Sequence, residues 1–515
     1  MKTNAMIRQI ILYFFIILSG SVIKNDLLAQ NNNARIKIDI ERQIGDIDKM
    51  IYGNFTEHLG RCIYGGIYDP GSPFANKDGF RVDVIEATKK LNVSNVRWPG
   101  GNFVSSYHWE DGIGPKNKRP VRINLSWVKK EDNSFGTDEF INWCKEVKTE
   151  PYICVNMGTG TMEEACNWVE YCNVDSGTYY SDLRIKNGFR SPHNVKYWAL
   201  GNEKDCDWHI GYKYPDDYGK FALETAKMMK AIDKNIKLVA GGSANYRGDW
   251  IDWNRTVLKY LGKYVDYIAL HNYSRNKNDD YYEFMASTDF AEKVIRVTEG
   301  IIKEELIKLN RKNPIYIAFD EYNVWSRTTV NEDLEEIYNL EDALVISSYL
   351  NVFIRNAHIV KIANLAQLVN VLAPICTSEK GIWYQTIFYP LELFANNCFG
   401  KSIETFVDCP TYKLNGSQVP YLDVSGVYNK AKNEIIVNVV NRHKDKPIIT
   451  DIISQHGSFK GNAIIKEVNG DNIKETNSPD KQLIDIETKQ KSVSGDKLSY
   501  SFPPHSFTMI TIPLD

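Results

Sequence analysis

Between residues 50 and 370 short apolar segments alternate with longer amphipathic ones. Eight of the short segments read as buried strands: MIYGNF (50–55), SNVRWP (94–99), PYICVNM (151–157), VKYWALGNE (195–203), KLVAGG (237–242), VDYIALHNY (265–273), PIYIAFDEY (314–322) and IANLAQL (362–368). Each is rich in β-branched or aromatic residues. Runs such as DEFINWCKEV (138–147) and YGKFALETAKMMKAID (218–233) lie between them and carry apolar residues at helical spacing. Strands alternating with helices predict a parallel sheet with helical crossovers. Eight such units over roughly 300 residues predict an α/β protein with a (β/α)8 barrel.

After about residue 395 the helical period disappears. The segments YLDVSGVY (421–428), EIIVNVVNRH (434–443), NAIIKEVNG (462–470) and LSYSFPPHSFTMITI (498–512) alternate and are punctuated by turn residues. They predict an antiparallel, jelly-roll-like β-sandwich. ARIKIDIERQIGDI (34–47) alternates too and is expected to add a strand to it. The expected organisation is residues 30–48 as that N-terminal strand, 49–395 as the barrel and 396–515 as the C-terminal domain.

The first residues follow a different pattern. Lys2 and Arg8 precede the apolar run IILYFFIILSG (10–20), and a basic start before a short apolar stretch reads as a secretory signal. Cleavage is expected after Ala29, which assigns residues 1–29 to a signal peptide and the mature chain to the periplasm or the exterior. The first cysteine is Cys62, so none stands at the junction to carry a lipid anchor. No second long apolar run follows, and the mature protein is expected to be soluble.

Composition narrows the picture only a little. A chain of 515 residues with 43% hydrophobic and 25% charged residues suits a soluble protein of more than one domain. A net charge of −3 gives no electrostatic case for nucleic acid. The aromatic content of 12% suits ring stacking on sugars, and suits an aromatic core equally well. The nine cysteines are scattered without metal-ligand spacing and are expected to be mostly buried small hydrophobes. Cys166 and Cys172 are the pair that an oxidising compartment could bridge; spacing does not decide it.

The candidate chemistry sits where the predicted strands end. Glu57 follows the first, Gly100, Gly101 and Asn102 the second, and Asn156 the third. Asn202 and Glu203 follow the fourth, His271 and Tyr273 the sixth, Glu321 the seventh and Gln367 the eighth. The C-terminal ends of barrel strands are the face on which barrel enzymes build their sites. Glu203 and Glu321 form the pair that glycosidic hydrolysis needs: one carboxyl protonates the leaving oxygen, the other attacks the anomeric carbon or activates water. Asp320 competes with Glu321, since alternation sends the two to opposite sides and lets only one enter the mouth.

These motifs carry a resemblance. WALGNE (198–203) resembles the acid/base motif of the clan A glycosidases. GNFTEHLGRCIYGGIYD (53–69), VRWPGGNFVSSYHWEDGIGP (96–115), FGTDEF (135–140), LHNYS (270–274), FDEYNVW (319–325), AQLVNVLAPI (366–375) and PPHSFTMI (503–510) stand with it in the order of glycoside hydrolase family 51, the α-L-arabinofuranosidases, over almost the whole mature chain. The resemblance implies Glu203 as general acid/base and Glu321 as nucleophile of a retaining, exo-acting enzyme that trims arabinan or arabinoxylan. It implies substrate contacts from Glu57, Arg97, Asn102, Trp127, Asn202, His271, Tyr273, Trp325 and Gln367. Arg97 would lie beneath the nucleophile, and Tyr273 would bond to it. No metal or organic cofactor is implied, and a homo-oligomer, often a hexamer, is.

The chain departs from the family after the acid. Where relatives carry a Met-Asp-Gly-Pro-Trp-like run, it has Lys204, Asp205, Cys206, Asp207 and Trp208. Lys204 is expected to reach solvent, and the altered loop bears on leaving-group preference. Two alternatives stay open: an endo-β-glucanase or β-xylosidase on the same barrel, and a non-catalytic carbohydrate-binding protein. Linkage preference and polymer size are not legible.

Overall fold

The computed structural model describes residues 34–325 and 334–515. The segment assigned to a signal peptide lies outside them. Eight strands close into a barrel: Gly53–Phe55, Asn95–Trp98, Glu150–Cys154, Tyr197–Leu200, Lys237–Ala240, Tyr267–Ser274, Tyr316–Val324 and Val360–Ala366, numbered one to eight below. Every neighbouring pair is parallel. All eight predicted strands are present. The first is shorter than expected, because Asp48 caps a single 3-10 turn, Lys49–Tyr52, at its start.

Period-2 alternation explains the apolar runs. Tyr152, Cys154, Tyr197, Ala199, Val239 and Tyr267 fill the barrel interior. Their neighbours Ile153, Trp198, Leu238 and Ile268 point outward into the core beneath the helices. Both faces are therefore buried, as a parallel sheet covered by helices requires. The predicted helices are Thr137–Val147 and Pro215–Ile232, the latter opened by a proline and by Asp216 and Asp217 in its first turn.

The last barrel-side helix is Phe388–Asn397, and the C-terminal sheet starts at Lys401. Nine strands form one continuous sheet, antiparallel except where Ala34–Asp46 runs parallel to Ile448–Ser454. All nine contribute to a single core that includes Ile36, Val437, Ile452, Ile465, Leu498 and Ile512, so the sheet folds over on itself. Its other face joins the barrel core through Ile436, Val440 and Met509, and Phe507 stacks on Phe394 at 5.2 Å. The segment 498–512 is two strands rather than one, Lys497–Phe502 and Ser506–Pro513, which pair at distant places in the sheet. Pro503 and Pro504 separate them, since neither offers a backbone donor to a ladder.

All nine cysteines are free. Cys166 and Cys172 do not bridge, because both lie on the helix Met162–Asn173. Six residues of helix separate them by about 9 Å along the axis and turn their side chains to different faces. Among the described residues no helix is long and apolar enough to cross a membrane.

Candidate active site

Strand four ends at Leu200, and the chain turns sharply to present Glu203, whose φ of 46° is rare outside glycine. Its Oε1 lies 2.9 Å from Nδ1 of His271 on strand six, and its Oε2 lies 3.2 Å from Nδ1 of His209. Glu321 comes from strand seven. Its Oε2 accepts from Arg97 Nη1 at 2.9 Å and its Oε1 from the Tyr273 hydroxyl at 2.7 Å. Carboxylate oxygens of Glu203 and Glu321 lie within 4.8 Å of each other, with a ring nitrogen of His271 inside the same radius of both.

Asp320 corrects an expectation drawn from alternation. The register of strand seven against both its neighbours is irregular around Phe319 and Asp320, and this bulge turns two successive carboxylates inward. Asp320 lies deep in the barrel, accepting from the Tyr152 hydroxyl at 2.7 Å and lying 3.5 Å from Arg97 Nε. Only Glu321 of the two lines the cavity.

Arg97 ties the floor together. Besides Glu321 and Asp320 it donates Nη2 to Asn202 Oδ1 at 2.6 Å. It is fully buried and, like Asn202, is not on the cavity wall. The guanidinium spends both Nη groups on buried acceptors, and Asn202 gives its oxygen to the guanidinium while its Nδ2 lies 3.4 Å from Asn102 Oδ1. Both position the wall residues.

Glu57, Asn102, Trp127, His271, Tyr273, Trp325 and Gln367 do line one cavity of about 830 Å³ at the C-terminal mouth, with Glu203 and Glu321. Glu57 accepts from Trp127 Nε1 at 3.0 Å, from the Phe103 amide at 3.0 Å and from Gln367 Nε2 at 3.3 Å. The two glycines after strand two are more than turn formers. A side chain at Gly100, whose φ is +152°, would strike Glu57 Cγ at 2.5 Å, and one at Gly101 would hang about 3.5 Å from Asn202 and Glu321.

Lys204 does not reach solvent. It is buried, and Nζ donates to Ser105 Oγ at 2.7 Å and to the Ile210 carbonyl at 2.8 Å. Burial lowers its pKa to about 8. Asp205 accepts from the amides of Ala244 and Asn245, both at 2.8 Å, which fastens this loop to the one after strand five. His209 was missed by the sequence reading. The available signal was a histidine six residues beyond Glu203 in the same polar loop.

The charge balance follows from these contacts. Burial opposes the imidazolium form of His271, but Glu321, Asp320 and Glu203 surround the ring and raise its pKa to about 10. Burial also pushes Glu203 up, yet the hydrogen bond and charge of His271, then His209 and Arg97, hold it below the ordinary carboxylate range. Glu321 ends above that range, because burial and the Glu203 charge outweigh His271 and Arg97. Burial, with the Glu321 charge, raises Glu57 to about 7.

A raised folded pKa on His271 stabilises the fold fully below about pH 6.5, and that contribution is lost as pH rises to about 10. The wild-type melting temperature is therefore expected to fall more steeply between pH 7 and pH 10 than that of His271→Gln, by a few degrees. Parallel curves from thermal melts would show that His271 carries no such charge.

Among the described residues two clusters have metal-ligating atoms within 4.8 Å of one another: Glu203 with Cys206 and His209, and Glu203 with His271 and Glu321. The second contains both candidate carboxylates, Glu203 and Glu321. A carboxyl pair this close, one accepting from a tyrosine and an arginine and the other hydrogen-bonded to His271, is equipped for proton transfer and nucleophilic attack at one carbon.

Comparison with known proteins agrees with this chemistry. Residues 87–293 match the model of the α-L-arabinofuranosidase 1 domain, and residues 320–506 that of the α-L-arabinofuranosidase C-terminal domain. The protein of Acetivibrio thermocellus named intracellular exo-α-(1→5)-L-arabinofuranosidase is 42% identical over 88% of this chain and 95% of its own. Its namesake 1 from Bacillus subtilis is 40% identical over 93% of this chain and 99% of its own. The crystal structure of an α-L-arabinofuranosidase from Thermotoga maritima, an arabinose complex, superposes with a TM-score of 0.86 at 38% identity, over 93% of this chain and 99% of that one.

Proposed function

We propose that this chain, which belongs to the glycoside hydrolase family 51 α-L-arabinofuranosidases, releases terminal α-L-arabinofuranosyl groups by a retaining double displacement. The observation that carries the proposal is that an oxygen of Glu203 lies within 4.8 Å of an oxygen of Glu321. Retaining glycosidases hold their carboxyls about 5–5.5 Å apart, whereas inverting ones leave about 6.5–9.5 Å for a water.

In the first step Glu203 protonates the glycosidic oxygen while Glu321 attacks the anomeric carbon. In the second, Glu203 deprotonates a water that displaces Glu321 and frees arabinose. The first step needs Glu203 protonated and Glu321 ionised. His271 Nδ1, 2.9 Å from Glu203 Oε1, is within reach to exchange a proton with the acid. The Arg97 charge and the Tyr273 hydroxyl both favour the ionised form of Glu321. Glu57, Asn102 and Gln367 face the cavity as partners for sugar hydroxyls, and Trp127 and Trp325 as apolar faces.

The test is a panel of aryl α-L-arabinofuranoside, β-D-xylopyranoside and β-D-glucoside, with the product anomer followed by NMR. Selective release of α-arabinose from the arabinofuranoside is expected. Preference for xylose or glucose would move the substrate to the β-xylosidase or β-glucanase alternative, and β-arabinose as first product would overturn retention. The relatives named for exo-α-(1→5) action make short α-(1→5)-arabino-oligosaccharides the natural substrate to try next.

Export is a separate part of the proposal, supported by the basic start and apolar run of residues 2–20 alone; several relatives carry the word intracellular in their names. The mature protein recovered from the producing cell's envelope or medium is expected to begin at Gln30. An intact N-terminus in the cytosolic fraction would refute this.

A further inference from the structure

We propose that the outer half of the cavity is built for a leaving group that carries a carboxylate, a uronic-acid residue bearing the arabinofuranosyl group. This rests on the arabinofuranosidase reading and adds the class of the aglycone.

The cavity, at about 830 Å³, holds several times the volume of one pentose, so most of it lies beyond the sugar that is cleaved. The loop that continues from Glu203, the group that must reach the leaving oxygen, presents Trp208. That ring is 56% exposed although it lines the cavity, which leaves indole surface for a sugar ring to pack against. The Arg247 guanidinium lies over the same ring, 5.7 Å from its centroid. Across the mouth the Arg275 guanidinium lies 4.8 Å from the Trp325 ring, and Lys277 lines the wall beyond it.

These three cations are exposed and line the cavity, and among the described residues none forms an ion pair. Among the described residues the nearby acids are engaged or turned elsewhere. Asp279 pairs with Lys474, Asp249 caps the helix Trp250–Leu261, and Asp207 is not on the cavity wall. The carboxylates that do line the cavity belong to its floor, where Arg97 and His271 face Glu203 and Glu321. A neutral aglycone would use the tryptophan rings and give the cations no carboxylate to pair with. A uronate would use both, its ring against the indole and its carboxylate on the guanidinium fork.

The experiment compares an α-L-arabinofuranosyl uronic-acid disaccharide with its methyl ester, which keeps the leaving oxygen and removes the charge. The wild type is expected to show kcat/KM about tenfold higher for the free acid, a ratio falling toward one in about 0.5 M salt. The ratio is also expected to collapse in Arg247→Gln and Arg275→Gln. Equal rates on the two substrates, or a ratio indifferent to salt and to both substitutions, would overturn the proposal. The salt dependence of the wild type decides the matter even if a variant fails to fold. Hydrolysis of neither disaccharide, with no activity on aryl α-L-arabinofuranoside, would instead count against the arabinofuranosidase reading.

Discussion

Glu321→Ala is expected to lower kcat/KM on aryl α-L-arabinofuranosides by about 10⁴-fold or more, some 5 kcal/mol of transition-state stabilisation. The side chain removed is the one that would form the covalent intermediate. Asp320, the adjacent carboxylate, is fixed at depth by Tyr152 and faces Arg97, so it cannot swing up to serve. The alanine leaves a gap on the face from which Glu321 would attack, and added azide is expected to fill it. A single displacement by azide then gives the glycosyl azide of inverted anomeric configuration. Activity within tenfold of wild type, or an azide product of retained configuration, would remove Glu321 from the nucleophile's role.

Glu203→Ala is expected to act differently on different leaving groups. Loss of a general acid costs about 10²–10⁴-fold. Oligosaccharides, whose alkoxide leaves poorly, should sit at the upper end. An activated aryl glycoside needs little protonation, so its first step survives while the second stalls without a base. The arabinosyl-enzyme then accumulates, and kcat and KM fall together. Azide needs no deprotonation and is expected to restore turnover, now with retained configuration because two displacements occur. An equal loss on both substrate types, without rescue, would mean that Glu203 serves only as a structural partner of His271 and His209.

The opposite stereochemistry of the two rescues is the strongest discrimination available, because each outcome depends on which face of the sugar each carboxylate occupies. Misfolding of either variant could not produce it. It also separates the two glutamates from Glu57, which lines the same cavity and is held near neutrality by burial.

Much of this architecture was legible from the chain alone. The eight strands announce themselves because both of their faces are buried, so a run of four or five apolar residues suffices. The two candidate carboxylates stand out because polarity breaks at the same end of strand after strand. The nine-stranded sheet was legible only where one face is wet. Ile486–Gly495 is largely exposed and carries almost no apolar alternation, so nothing in IETKQKSVSG marks it as a strand.

What the sequence determined by itself were quantities set within a few residues: the period of burial, the residue types at strand ends and the prolines that split a run. The rest was decided by closure of the barrel. Alternation predicted one inward carboxylate on strand seven, and a bulge set by pairing with strands six and eight delivered two. Lys204 was expected in water, but Ser105, ninety-nine residues earlier, supplies a buried acceptor. Arg97 reaches Asn202 and Glu321 only because strands two, four and seven converge around one axis. A side chain's protonation and its reach depend on neighbours that sequence separation hides, and the Glu203–Glu321 distance that supports retention is a property of the closed barrel, not of either motif.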